Sequence, residues 1–154
     1  MPGVRGCVSL RRHDAATVRQ LALEFVGLAG ALGFPEYEGV AAALLCWVAW
    51  QEGRSDEVEK MAQEALAHWG RCVVHYSFHW LALWPLVAVH LSGGRVADAV
   101  EVSRQMLLPP QQRLPEELEL AIQAALGTWD KCDSQGAAEM LGQAVELACR
   151  LRYA

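Results

Sequence analysis

Three short polar elbows divide most of this chain into helix-sized segments: Glu52-Gly53-Arg54-Ser55-Asp56, Gly93-Gly94-Arg95-Val96-Ala97 and Lys131-Cys132-Asp133-Ser134-Gln135. Their reference positions, Gly53, Gly94 and Cys132, lie 41 and 38 residues apart. A period of that size marks stacked helical hairpins, because one hairpin cannot bury its apolar flank unaided and its neighbour must cover it. The spacing therefore predicts an all-α architecture whose task is to present a surface to a partner.

The composition supports a packed core. Of 154 residues, 53% are hydrophobic and 20% charged, which is ample for one buried domain and unlike a disordered chain. Thirteen basic side chains against eighteen acidic ones give a net charge of −5, and the basic residues are scattered. That pattern argues against nucleic acid as a partner. Cys7, Cys46, Cys72, Cys132 and Cys149 are odd in number and include no C-x-x-C pair, so they read as reduced thiols, and a cytoplasmic location is expected. The leader through His13 lacks the apolar core of a signal peptide, and the apolar run Trp80 to Val89 is about half of a bilayer span. No membrane partner is expected.

Periodicity places helices at about 15–33, 36–52, 56–69, 77–92, 96–107, 115–130 and 135–151, following a flexible leader over 1–14. Asp14 is the expected cap of the first helix, Ser55 or Asp56 that of the third and Ser134 that of the last. The helices starting near 36, 77 and 115 are apolar around most of their circumference, whereas those starting near 56, 96 and 135 are one-sided. Inner helices covered on two sides would alternate with outer ones. Short elbows make successive helices antiparallel, so a right-handed α-α superhelix is the expected fold, with a closed bundle as the alternative. Pro85 interrupts an inner helix, and a bend is expected there.

Aligning the elbows superposes Val58, Ala99 and Ala137 at one second-helix position, with Ala65, Met106 and Ala144 seven residues later. In this register the chain from about Glu36 to Tyr153 resembles tetratricopeptide repeats, which carry small residues at these second-helix positions. It departs from them in its longer repeats, in Ala42 where the first-helix aromatic belongs, and in Cys132 at the third elbow. The segments Phe78 to Leu86, Leu107 to Pro115 and Gly127 to Asp130 are further similar to the C-terminal repeat region of large bacterial signalling regulators that join cyclase-like or transcription-regulator domains to an ATPase module. That resemblance implies a sensing or scaffolding role. The chain has no G-x-x-x-x-G-K-[ST] of its own, so it could only be the repeat module of such a protein.

Several residues invite a functional reading. In the repeat register Trp47, Trp50 and Trp84 fall at or near positions that would line a concave groove, with Gln51 and His90 as polar contacts beside them, and these five are the expected partner-binding residues. His68, Cys72, His75 and His79 have side chains that could converge on a transition metal, but His68 ends an outer helix and His79 enters an inner one, so no metal site is assigned. Gly27, Gly30 and Gly33 lack the strand and the Lys-Ser/Thr of a phosphate loop and read as a close helix-packing stripe. Glu116, Glu117 and Glu119 occupy a first turn, where carboxylates support the helix dipole.

The sequence thus predicts a non-catalytic module without cofactor that binds a protein or peptide segment in a groove, or self-associates through the ends of a solenoid. The alternatives are a small-molecule sensor using the same groove and an enzyme or metal protein using the His/Cys group.

Overall fold

The computed structural model describes residues 15–73, 78–109 and 112–154. The expected leader, the Asp14 cap, His75 and the expected helix start at residue 77 lie outside the described residues. Among those described there are seven α-helices and no strand: α1 (Ala15–Leu32), α2 (Pro35–Gln51), α3 (Ser55–Gly70), α4 (Trp80–Ser92), α5 (Val96–Gln105), α6 (Glu116–Trp129) and α7 (Ser134–Arg150). No helix among them is long and apolar enough to cross a membrane.

The elbows are one backbone device used repeatedly. Gly53, Gly94 and Cys132 all adopt left-handed φ values, +72°, +71° and +65°. In each case this residue donates its N–H three residues back and its successor donates five residues back: Gly53 to Trp50 and Arg54 to Ala49, Gly94 to Leu91 and Arg95 to His90, Cys132 to Trp129 and Asp133 to Thr128. These paired bonds satisfy the last carbonyls of a helix and reverse the chain, and they require the conformation that glycine adopts without steric cost. Cys132 adopts it despite its Cβ. After α7 the same device recurs, with Arg152 at φ +63°.

Caps differ in detail from the sequence expectation. The residue preceding α7 is Asp133, not Ser134, and its Oδ1 accepts the Gly136 N–H at 2.8 Å, a geometry that carboxylates favour one residue outside the first turn. Arg54 occupies the cap position of α3 without a capping side chain, and Ser55 is already helical.

Core packing follows the alternation for two hairpins and departs from it in the third. Ten residues each of α2 and α4 are buried, as all-round apolar helices require. Pro85 lies buried inside α4. The superposed outer-helix positions Val58, Ala99, Ala137, Ala65, Met106 and Ala144 are all buried as well. Each helix lies against its successor, and α4 additionally lies on α2. In the third hairpin, however, α7 rather than α6 lies against α4, both helices approach α5, and Leu120 of α6 is exposed. The expected inner role of α6 is therefore taken by α7. The reason is the apolar face of each: α6 buries four residues, Leu118, Ile122, Ala125 and Leu126, whereas α7 buries Ala137, Leu141, Ala144, Val145 and Ala148 along one continuous stripe.

Ion pairs tie outer helices to following elbows. Arg19 of α1 meets Glu52, Glu59 of α3 meets Arg95, and Arg104 of α5 meets Asp130 at 2.8 Å. These hydrogen bonds hold Glu52 (from Arg19) and Glu59 (from Arg95) below the usual carboxylate range. At the centre of the stack the Cys46 thiol donates to the Val58 carbonyl at 3.5 Å and the Ala82 carbonyl at 3.9 Å, linking α2 to both α3 and α4. Burial pushes its pKa up to about 12.

Candidate functional site

The helix least covered by others is α1. Val18, Ala22, Phe25 and Ala29, at i, i+4, i+7 and i+11, form its buried stripe, and among the described helices only α2 comes close to it. A second stripe, Leu23, Val26, Gly27 and Gly30, is apolar or small and faces outward; Leu23 is 57% exposed and Val26 46%. This corrects the reading of the glycines as a close-packing stripe within the fold. A Cβ built at Gly27 or Gly30 would meet nothing within 4 Å, and only Gly33, at φ +67°, has a backbone role, ending α1.

Because α1 and α3 both lie on α2 but not on each other, they leave an open cleft of about 190 Å³ between them. Ala42 and Leu45 of α2 form its floor, Val26 and Gly30 one wall, and Met61, Glu64 and His68 of α3 the other, with Glu38 at the end. Met61, Glu64 and His68 recur at i, i+3 and i+7 and so share one helix face. Glu38 lies 2.9 Å from His68 Nδ1 and accepts from Arg71 at 3.4 Å, while Lys60 reaches Glu64 only at 4.0 Å. The cleft is thus an apolar trough edged by two carboxylates.

The five partner-binding residues expected from the sequence do not gather on such a surface. Trp47 and Trp84 are 1% and 0% exposed and belong to the core, which corrects their assignment to a groove wall. An all-round apolar helix needs its largest side chains for its own burial, so the tryptophans that made α2 and α4 look like groove linings are what hold them inside. His90 is buried too, and desolvation, with Arg95 beside it, lowers its pKa against the opposing pull of Asp98 and Glu59. Trp50 is half-buried and Gln51 exposed at the end of α2. These two alone reach the surface.

His68, Cys72 and His79, the described members of the His/Cys group, are engaged elsewhere. His68 pairs with Glu38, the Cys72 thiol donates to the His68 carbonyl at 3.6 Å and to Glu36 at 3.9 Å, and His79 stacks on Trp69 with ring centroids 5.2 Å apart. Among the described residues no group of three or more His, Cys, Asp or Glu is arranged to hold a metal ion.

Aromatic residues do not mark the cleft, because none of them lines it. The signal that could have found it is the double stripe of α1, which carries more apolar surface than one neighbouring helix can cover. The chain matches no known family, no curated protein and no solved structure.

Proposed function

We propose that this chain is a non-catalytic helical-repeat module, tetratricopeptide-like in its hairpins and forming a right-handed superhelix through α5, that binds a protein segment within a bacterial signalling or regulatory system. The repeat reading rests on the shared elbow geometry at Gly53, Gly94 and Cys132 and on the ion pair from each outer helix to the next elbow. The binding reading rests on one observation: α1 turns an uncovered apolar stripe toward an open cleft, where a soluble helix ordinarily places polar residues. A protein segment fits this surface better than a small molecule, since 190 Å³ falls below the roughly 300–1,000 Å³ of ligand pockets.

Native mass spectrometry of the tagged protein recovered from a bacterial lysate tests the proposal, with Val26→Asp as the paired variant. A stoichiometric partner held by the unaltered chain and lost from the variant is the expected result. A monomer that retains nothing would refute it.

A further inference from the structure

Resting on the reading of α1 as a binding surface, we infer that its exposed face pairs with the same face of a second copy of this chain. The two helices run antiparallel about a two-fold axis, and the bulky side chains of each fill the glycine gaps of the other.

The face carries no charge. Residues 25–35 include no polar or charged side chain, and Leu23, Val26, Gly27 and Gly30 are all exposed. They recur at i, i+3, i+4 and i+7 and so share one side of α1. The neighbouring charges are turned aside or occupied. Glu24 lies about 100° around the helix from Leu23, on the side away from Val26, and accepts a hydrogen bond from Gln20 at 3.1 Å. Arg19 is held by Glu52. A partner chosen by its charge finds nothing to hold on this stripe, and a second copy laid on it buries no ion.

The order of sizes along the stripe selects the occupant. Leu23 and Val26 are bulky, Gly27 and Gly30 have no side chain, and the change from large to small falls at the midpoint between Val26 and Gly27. In an antiparallel pair with its two-fold axis at that midpoint, each residue meets the one equally far beyond it. Leu23 of one copy then meets Gly30 of the other, and Val26 meets Gly27, on both sides of the axis. Every layer sets a side chain against a gap, which is the arrangement that lets facing helices interdigitate and approach closely. An in-register parallel pair would instead set Leu23 against Leu23 and glycine against glycine.

The monomer supplies no other use for the gaps. Glycine inside a helix is destabilising relative to alanine, yet a Cβ at Gly27 or Gly30 would meet nothing within 4 Å. The stripe is two helical turns, about 10 Å, long, so the contact is smaller than a standard interface and its population follows concentration.

Sedimentation velocity on the full chain, from about 1 to about 300 µM, tests the inference with two double variants. One has a small face (Leu23→Ala with Val26→Ala), the other a large face (Gly27→Val with Gly30→Leu). The unaltered chain should pass from monomer to dimer over this range. Each variant alone should associate at least tenfold more weakly, the first for want of side chains and the second for want of gaps. Mixed in equal amounts, the two should recover the dimer to within threefold of the unaltered strength, because a large residue then faces a small one in every layer. Thermal midpoints at the lowest concentration should not fall for the large-faced variant, whose new side chains enter open space. A chain monomeric throughout, a dimer indifferent to both variants, or a mixture no stronger than its components would overturn the inference. If the chain is monomeric yet holds a lysate protein that Val26→Asp releases, the binding-surface reading stands and self-pairing alone falls; if it does neither, both fall.

Discussion

Helices α4 and α1 are both rich in apolar residues, yet one is enclosed on nearly every side and the other is covered on one. In α4 the ten buried residues meet α2, α3, α5 and α7, so its hydrophobicity is consumed by the fold. In α1 the stripe Val18, Ala22, Phe25 and Ala29 is consumed in the same way, while Leu23 and Val26 remain in water. Apolar content therefore carries no functional meaning until one counts how many neighbours a helix has. A surplus over that count is the informative quantity.

Matched truncations in the two helices give the largest contrast. Trp84→Ala should cost about 3–5 kcal/mol in urea unfolding, because it opens a cavity at a site with no exposure, whereas Leu23→Ala should stay within about 0.5 kcal/mol. Equal losses would mean that α1 is not uncovered in solution.

Glycine-to-alanine changes sharpen the same contrast through opposite signs. A Cβ at Gly39 would sit 2.3 Å from Trp69 Nε1, whose indole donates to the Glu36 carbonyl at 3.2 Å, so Gly39→Ala should destabilise by about 1–3 kcal/mol. Gly30→Ala, in open space, should stabilise by up to about 1 kcal/mol. The elbows follow with a smaller effect. Gly53→Ala and Gly94→Ala should each cost about 1 kcal/mol, while Cys132→Gly should gain up to about that amount by relieving a left-handed residue that has a side chain. If Cys132→Gly instead lowers the denaturation midpoint, the third elbow is not equivalent to the other two.

The smallest effect is a pH dependence beside α4. His90 has a lowered pKa in the folded chain, so on acidification the unfolded state takes up its proton first. Its contribution is complete above about pH 6.5, the ordinary histidine value, and is lost as pH falls from there toward the depressed folded value. The carboxylates Glu52 and Glu59, lowered by their arginine partners, lose theirs at more acidic pH, below the usual carboxylate value. Unfolding midpoints measured between pH 5 and 8 should decline on the acid side, and His90→Gln should flatten that decline.

Much of the scaffold was legible from the chain alone, for local reasons. Helix ends are written in Gly33, Gly53, Gly94 and the prolines, whose backbone preferences act within a few residues, so even the equivalence of Cys132 with two glycines could be read from spacing. What could not be read was which helix faces inward. The exchange of α6 for α7 depends on contacts between segments far apart in sequence. Likewise, Trp47 and Trp84 resemble binding residues in composition, and only their enclosure by the neighbouring helices shows that they are core. The cleft itself exists because α1 and α3 do not touch, a relation between two elements separated by a third.

Cys46 gives this molecule a clock. A thiol with a pKa near 12, pinned by two carbonyls at the junction of three helices, cannot be alkylated until that junction separates, whereas the exposed Cys132 reacts at once. The delay between the two labelling events would report how often the interior breathes, and a guest that braces α2 and α3 should lengthen it.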